Sequence, residues 1–198
     1  MSISPSKKIS ASGRLILVVG PSGAGKDALI ERAKLALSGE TSFVFARRIV
    51  TRRPMAEDHD TLGMESFEKS EAQGDFLLSW RAHGLAYGLP ASLKQDLVAG
   101  RTIIANVSRG VILQAEQLGF PVIVLHVTAD PVILAARIAT RGRESMAEVR
   151  ARVERAAPLQ WHSATIVEIR NEGRIDHGAA LFIEAIIRSA EPETALVQ

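Results

Sequence analysis

Leu15-Ile16-Leu17-Val18-Val19-Gly20-Pro21-Ser22-Gly23-Ala24-Gly25-Lys26-Asp27 is the stretch that decides the fold of this chain. An apolar, β-branched run ends in Gly20 and, five positions on, Gly25, then a lysine and a helical pattern. That order predicts a buried parallel strand, a phosphate-cradling loop and a helix N-terminus. Main-chain N–H groups wrap a triphosphate only where no side chain blocks the approach, which accounts for Gly20, Gly23 and Gly25. Lys26 puts a compact positive charge on the β- and γ-phosphates, and the opening helix adds free N–H groups and its positive dipole end. The loop spans Gly20, Pro21, Ser22, Gly23, Ala24, Gly25, Lys26 and Asp27 and is expected to bind a nucleoside triphosphate. Its last position departs from the usual pattern. Where a serine or threonine hydroxyl normally meets Mg²⁺, Asp27 stands, a hard oxygen ligand able to reach the cation directly or through water.

Working outward, 198 residues with a hydrophobic fraction of 46% suffice for one α/β domain with a small inserted lid. The net charge of +2 reflects a small arginine excess and does not mark a nucleic-acid binder. With no cysteine there are no disulfides and no thiolate-ligated zinc. No apolar run approaches the ~18 residues of a membrane span, and residues 1–13 read as a disordered tail, not a signal peptide, so a cytoplasmic protein is expected. The domain should run over 14–190, with 191–198 as a second tail.

Periodicity predicts a helix over Ala28–Ser38, a strand over Phe43–Val50, a polar acidic loop over Met55–Gly63 and a short helix over Ser66–Gln73. Phe76–Ala82 and Leu85–Tyr87 read as an antiparallel hairpin turned at His83-Gly84. Helices at Ser92–Ala99, Val111–Leu118, Pro131–Thr140, Met146–Ala157 and Gly178–Ser189 alternate with strands at Thr102–Val107, Val122–Val127 and Thr165–Ile169. Strands separated by helices give a parallel sheet covered on both faces. The stretch 49–88 interrupts this alternation and reads as an inserted substrate-binding subdomain. Ligands of such sheets sit at the carboxyl ends of the strands, so the loops after Val19, Val50, Asn106 and Val127 should converge.

The arginines are unevenly spread. Arg47, Arg48, Arg52 and Arg53 crowd one strand end, and Arg109 follows another. Arg137, Arg141, Arg143, Arg150, Arg152 and Arg155 crowd a helix–break–helix segment, read as a lid over 137–157. Phosphoryl transfer needs fixed positive charge on the moving group, which guanidinium forks supply bidentately. Arg137, Arg141 and Arg143, with Lys26, form the expected catalytic set. No Ser–His–Asp arrangement or histidine metal spacing is present. His126, inside a core strand, reads as structural; His59 and His83 fall in the substrate region, and His83 joins the expected substrate-binding set. Asn171, just after the last strand, is a candidate on the adenine side.

The loop, Thr51-Arg52, Gly74-Asp75-Phe76, Tyr87-Gly88 and the Arg137–Arg155 segment resemble guanylate kinases from about Leu15 to Ile187. Within that superfamily the chain more closely resembles the ribose 1,5-bisphosphate phosphokinases of phosphonate breakdown. Gly20–Asp27 with its aspartate, Trp80-Arg81-Ala82-His83-Gly84-Leu85-Ala86-Tyr87-Gly88, Asn106-Val107-Ser108-Arg109 and Arg141-Gly142-Arg143-Glu144 carry that likeness. The resemblance implies a three-layer P-loop fold of the nucleoside-monophosphate-kinase type, ATP and Mg²⁺, and an acceptor phosphate held by Arg52 and Tyr87. The positions that read guanine in guanylate kinases are here Leu78, Arg48 and Leu89, and the second phosphate-binding arginine becomes Met55. Base readers are lost and a phosphate grip is kept, with Arg48 as an added cation, which suits a doubly phosphorylated sugar. The implied reaction converts ribose 1,5-bisphosphate and ATP to 5-phosphoribosyl 1-diphosphate and ADP. The alternatives are a guanylate (nucleoside monophosphate) kinase and a non-catalytic guanylate-kinase-like binding module. Expected partners are small molecules, ATP and a sugar bisphosphate, with no nucleic acid and no membrane; a homodimer stays open.

Overall fold

The computed structural model describes residues 13–51, 59–139 and 159–191. Its centre is β1 (Arg14–Val19), in which every residue from Leu15 to Val19 has no solvent exposure. Burying a Leu, Ile or Val side chain stabilises by roughly 1.5–3 kcal/mol, and a run buried on both faces suits only an inner parallel strand. β2 (Phe43–Phe45), β7 (Thr102–Asn106), β8 (Val122–Thr128) and β9 (Thr165–Arg170) complete a five-stranded sheet in the order β2-β7-β1-β8-β9. All its pairings are parallel.

Alternation along the strands divides the core in two. Ile16, Val18, Ile123 and Leu125 face α1 (Lys26–Ala36), α5 (Pro131–Ala139) and α6 (Ile175–Ala190), which contribute Leu29, Ala33, Leu134, Phe182 and Ile186. Leu15, Leu17, Ile103 and Val124 face α3 (Leu93–Val98) and α4 (Ile112–Glu116), with Leu93, Leu97, Ile112 and Ala115. A 3-10 turn at Arg109–Val111 leads into α4.

The segment read as one strand, Phe43–Val50, divides. Ala46 still donates to the Ile104 carbonyl at 2.9 Å, and the chain then leaves the parallel sheet. It re-enters as β3 (Arg48–Val50) of a second sheet with β4 (His59–Thr61), β5 (Phe76–Ala82) and β6 (Leu85–Pro90), in the order β4-β3-β6-β5. β5 (Phe76–Ala82) and β6 (Leu85–Pro90) form the expected hairpin, and His83 and Gly84 both have positive φ, 52° and 72°. Two positive φ values match a two-residue hairpin turn whose twist fits the strands. β4 (His59–Thr61) lies in the stretch read as loop and pairs parallel with β3, Arg48 opposite His59. α2 (Met64–Gln73) closes the insertion; Arg81 forks onto Glu71 at 3.0 and 2.5 Å, and that hydrogen-bonded cation, helped by Ser79, holds the Glu71 carboxyl down at about 2. Leu78 and Leu89 face each other across β5 and β6, and both are sealed in the core cluster containing Leu15 and Leu17. The expected helix at 146–157 and most of the 137–157 lid lie outside the described residues.

Candidate active site

The loop between β1 and α1 takes the conformation its glycines allow. Gly20 has φ +150°, and a Cβ there would stand 2.0 Å from the Val127 carbonyl oxygen at the end of β8. Gly25, the residue before α1, is left-handed at φ 88°, and a Cβ would meet the Asn171 amide nitrogen at 2.6 Å. Both positions therefore exclude other residues on steric grounds. The Lys26 ammonium lies across the loop, donating to the Gly20 carbonyl at 2.8 Å and the Pro21 carbonyl at 2.9 Å. Its charge thus sits in the bowl where a phosphate chain would lie.

Beneath the loop is Asn171, at 2% exposure. Its Nδ2 donates to the Ala24 carbonyl at 2.8 Å, its main-chain N–H donates to Thr128 at 2.8 Å, and its own carbonyl accepts from Arg137 at 2.8 Å. Asn171 is therefore a prop beneath the loop, and this corrects its reading as an adenine-side residue: a side chain so buried and so engaged faces the loop from below. Its Oδ1 is buried and has no hydrogen-bond partner among the described residues. The Arg137 guanidinium also reaches the Gly23 carbonyl at 3.5 Å, so α5 is tied to both the loop and the end of β9.

Asp27, the unusual end of the loop, lies in the first turn of α1 with a side chain 70% exposed. One oxygen, Oδ1, accepts from Asn106 Nδ2 at 2.6 Å and stands 3.7 Å from Arg48 Nη2. Asn106 ends β7, beside β1, and Arg48 begins β3 of the insertion. Three elements far apart in sequence thus meet at one carboxylate, and Arg48, largely covered, faces the nucleotide loop.

Thr51 fixes the exit of β3. Its N–H donates to the Ala86 carbonyl at 3.0 Å and its hydroxyl accepts from the Ala86 N–H at 2.8 Å. Arg52, Met55, Arg141 and Arg143 lie outside the described residues. Tyr87 lies opposite Val50 and stacks on Trp80 with ring centroids 5.4 Å apart and planes 9° off parallel, which fixes its ring beside the end of β3. His83 is exposed at the tip of the hairpin turn.

Arg109 and His126 meet, Nη2 to Nε2, at 3.4 Å. Burial, then the nearby Arg109 and Lys26 charges, push the His126 pKa down against the pull of Glu168, so the ring is neutral near pH 7. Burial also lowers that of Arg109.

Of the four loops expected to converge, those after Val19 and Asn106 meet through Asp27 and Asn106, and Gly20 closes on the Val127 carbonyl. The loop after Val50 lies outside the described residues beyond Thr51, and it is Arg48, at the start of β3, that reaches Asp27. The sequence reading did not assign roles to Asn106, Thr51 or a supporting Asn171. A polar residue ending a strand otherwise buried, as in Thr102–Asn106, is the signal for the first; the other two depend on partners remote in sequence. Among the described residues no group of three or more His, Cys, Asp or Glu side chains could hold a metal. The single exposed carboxylate of Asp27 fits a hard cation whose remaining ligands are phosphate oxygens and water.

No protein-family model matches the chain. It is 46% identical over 178 residues to a ribose 1,5-bisphosphate phosphokinase of Acidiphilium cryptum, covering 89% of this chain and 94% of that protein. A ribose 1,5-bisphosphate phosphokinase of Rhodopseudomonas palustris is 51% identical over 180 residues, covering 84% and 93%. Among solved structures, a guanylate kinase from Anaplasma phagocytophilum superposes with a TM-score of 0.62 at 14% identity, over 92% of this chain and 88% of that one, which makes the fold guanylate-kinase-like. With relatives this similar over nearly their whole length, the chain belongs to the ribose 1,5-bisphosphate phosphokinase family.

Proposed function

We propose that this kinase moves the γ-phosphoryl group of ATP onto the 1-phosphate of ribose 1,5-bisphosphate, giving 5-phosphoribosyl 1-diphosphate and ADP in phosphonate breakdown. The observation that supports this best is the approach of Arg48, from the inserted sheet, to Asp27 at the end of the nucleotide loop, 3.7 Å apart. On this reading the contact would bring an acceptor-side cation beside the donor phosphates, where in-line transfer requires the two anions to meet.

The proposed roles rest on position for the described residues and on the family resemblance for Arg52, Arg141 and Arg143. The loop N–H groups and Lys26 hold the β- and γ-phosphates, and their fixed dipoles need no reorganisation as charge develops. Arg48, Arg52 and Tyr87, with His83, form the acceptor grip. Arg137, Arg141 and Arg143 neutralise the transferring group. The acceptor oxygen is already anionic near pH 7, because the second pKa of a phosphate monoester is about 6, so no general base is needed. Asp27 would hold Mg²⁺, which when bound screens the charge between β- and γ-phosphate oxygens.

Leu78 and Leu89 stand at positions where guanylate kinases carry base readers, and both are sealed in the core, so neither supplies a polar partner to a guanine edge. An unpaired buried polar group costs about 1–3 kcal/mol. GMP should therefore be phosphorylated at least ~10³-fold less efficiently than ribose 1,5-bisphosphate, a gap of roughly 4 kcal/mol. ATP consumption measured with each acceptor decides; comparable kcat/KM on GMP overturns the proposal in favour of a nucleoside monophosphate kinase.

A further inference from the structure

Resting on the kinase reading, the contact between Asp27 and Asn106 carries a more specific inference about how this site meets its metal. In P-loop enzymes a neutral hydroxyl at the loop's end and a separate carboxylate share Mg²⁺. Here the residue at the loop's end is a carboxylate, and its partner on the neighbouring strand is a neutral amide, 2.6 Å away. We propose that the charges of the metal shell have been exchanged between helix and strand: Asp27 supplies the anionic oxygen, and Asn106 is a positioning residue that orients it.

The geometry divides the work between the two carboxylate oxygens. Oδ1 takes both the Asn106 amide and the Arg48 guanidinium. Oδ2 has no partner among the described residues, and the side chain is 70% exposed. One oxygen is therefore pinned and the other presented, which is how a supporting amide fixes a metal-binding carboxylate. The exchange also keeps the charge count. One carboxylate at this junction offsets part of Arg48 and the cation, whereas two carboxylates in contact would repel and force one to stay protonated. The register holds the pair in place: Asn106 lies opposite Val18 on β1, and the Val107 N–H donates to the Val18 carbonyl at 3.1 Å.

The test is calorimetric and needs no turnover. A non-hydrolysable ATP analogue is titrated into the full chain in Mg²⁺ and in EDTA, and the ratio of the two affinities measures how strongly metal and nucleotide are coupled. Asp27→Ser should reduce that ratio by about 10–100-fold, and Asn106→Ala by about 10-fold, the range for lost metal-shell support. The double variant Asp27→Ser, Asn106→Asp rebuilds the usual arrangement and should recover most of the ratio. Asn106→Asp alone, with two carboxylates in contact, should weaken binding in EDTA and make the dependence on Mg²⁺ steeper. If Asp27 is merely an acid favoured at a helix N-terminus, Asp27→Ser lowers the melting temperature and leaves the ratio unchanged, which overturns the inference. A double variant no better than Asp27→Ser alone overturns it equally. Failure of the unmutated chain to bind the analogue at all would overturn the kinase reading as well, so the two failures are distinct.

Discussion

Replacing Asn171 should separate the support of the phosphate loop from its chemistry. The side chain is 2% exposed, and its Nδ2 is bonded to the carbonyl of Ala24, a residue with no exposure. In Asn171→Ala that bond is lost, at about 1 kcal/mol net, and the Ala24 carbonyl loses a donor inside the fold, a further 1–3 kcal/mol or so. Against this, the variant also removes Oδ1, which is buried without a partner and offsets about 1 kcal/mol. The balance is a destabilisation of roughly 2 kcal/mol, and for a chain of this size each kcal/mol shifts the melting temperature by about 2–4 °C. A fall of about 4–8 °C is expected by circular dichroism. Asn171→Asp has nearly the same shape but puts an acceptor where the donor was, facing the Ala24 carbonyl. It should melt below Asn171→Ala, because it must bury either a charge or a protonated acid. Both variants should also bind the ATP analogue more weakly, since the loop loses its prop. An alanine variant melting within about 1 °C of the parent would correspond to well under 1 kcal/mol and refute the reasoning. So would an aspartate variant more stable than the alanine one.

Lys26→Ala should lower turnover by at least ~10²-fold, on the scale of one preorganised electrostatic contact, with the far-ultraviolet spectrum unchanged. Near-normal turnover would remove Lys26 from the phosphates. Gly20→Ala drives a Cβ against the Val127 carbonyl at 2.0 Å and should cost about 3 kcal/mol or more, seen as lost soluble yield or a much lower urea midpoint. Glu116 accepts main-chain N–H bonds from His162, Ser163 and Ala164 at 3.0, 2.7 and 2.6 Å. Burial raises its pKa, but those bonds outweigh burial and leave it below the ordinary carboxylate value. The stabilisation is therefore complete above the ordinary carboxylate range and is lost as pH falls through the lowered value. Urea midpoints of the parent and Glu116→Ala should differ at pH 7, and the gap should narrow as pH falls below the ordinary carboxylate range; a gap that stays constant down to the acid unfolding of the parent would refute this.

The strand, loop and helix at Leu15–Ala36 were legible because their signals are local: a buried β-branched run, glycines with steric reasons, and helical spacing. The division of Phe43–Val50 was not legible. Phe43, Val44 and Phe45 and then Arg48, Ile49 and Val50 read as one extended run, and only competition between two sheets decides where pairing changes partner. β4 escaped notice because His59-Asp60-Thr61 carries no apolar alternation and owes its strand form to pairing with β3. The same distinction holds in the site. Lys26 and the glycines announce themselves at fixed offsets, whereas the bond from Asn106 to Asp27 joins residues 79 apart in sequence.

Leu78 and Leu89 belong at once to the inserted sheet and to the cluster around Leu15 and Leu17. On the proposed reading of this pair as the lost base readers, acceptor choice and folding are not independent traits in this molecule. A carboxylate or hydroxyl introduced at either position to court a purine edge would first have to survive among Leu93, Leu97 and Ile112, where an unpaired charge is untenable and even a hydroxyl lacks a partner. A lineage drifting toward nucleotide acceptors would lose soluble protein before gaining a new substrate, unless the surrounding hydrocarbon were rebuilt in step. On that reading, adaptation to a new acceptor should proceed through Arg48 and other residues outside this core, with the leucine pair changing last.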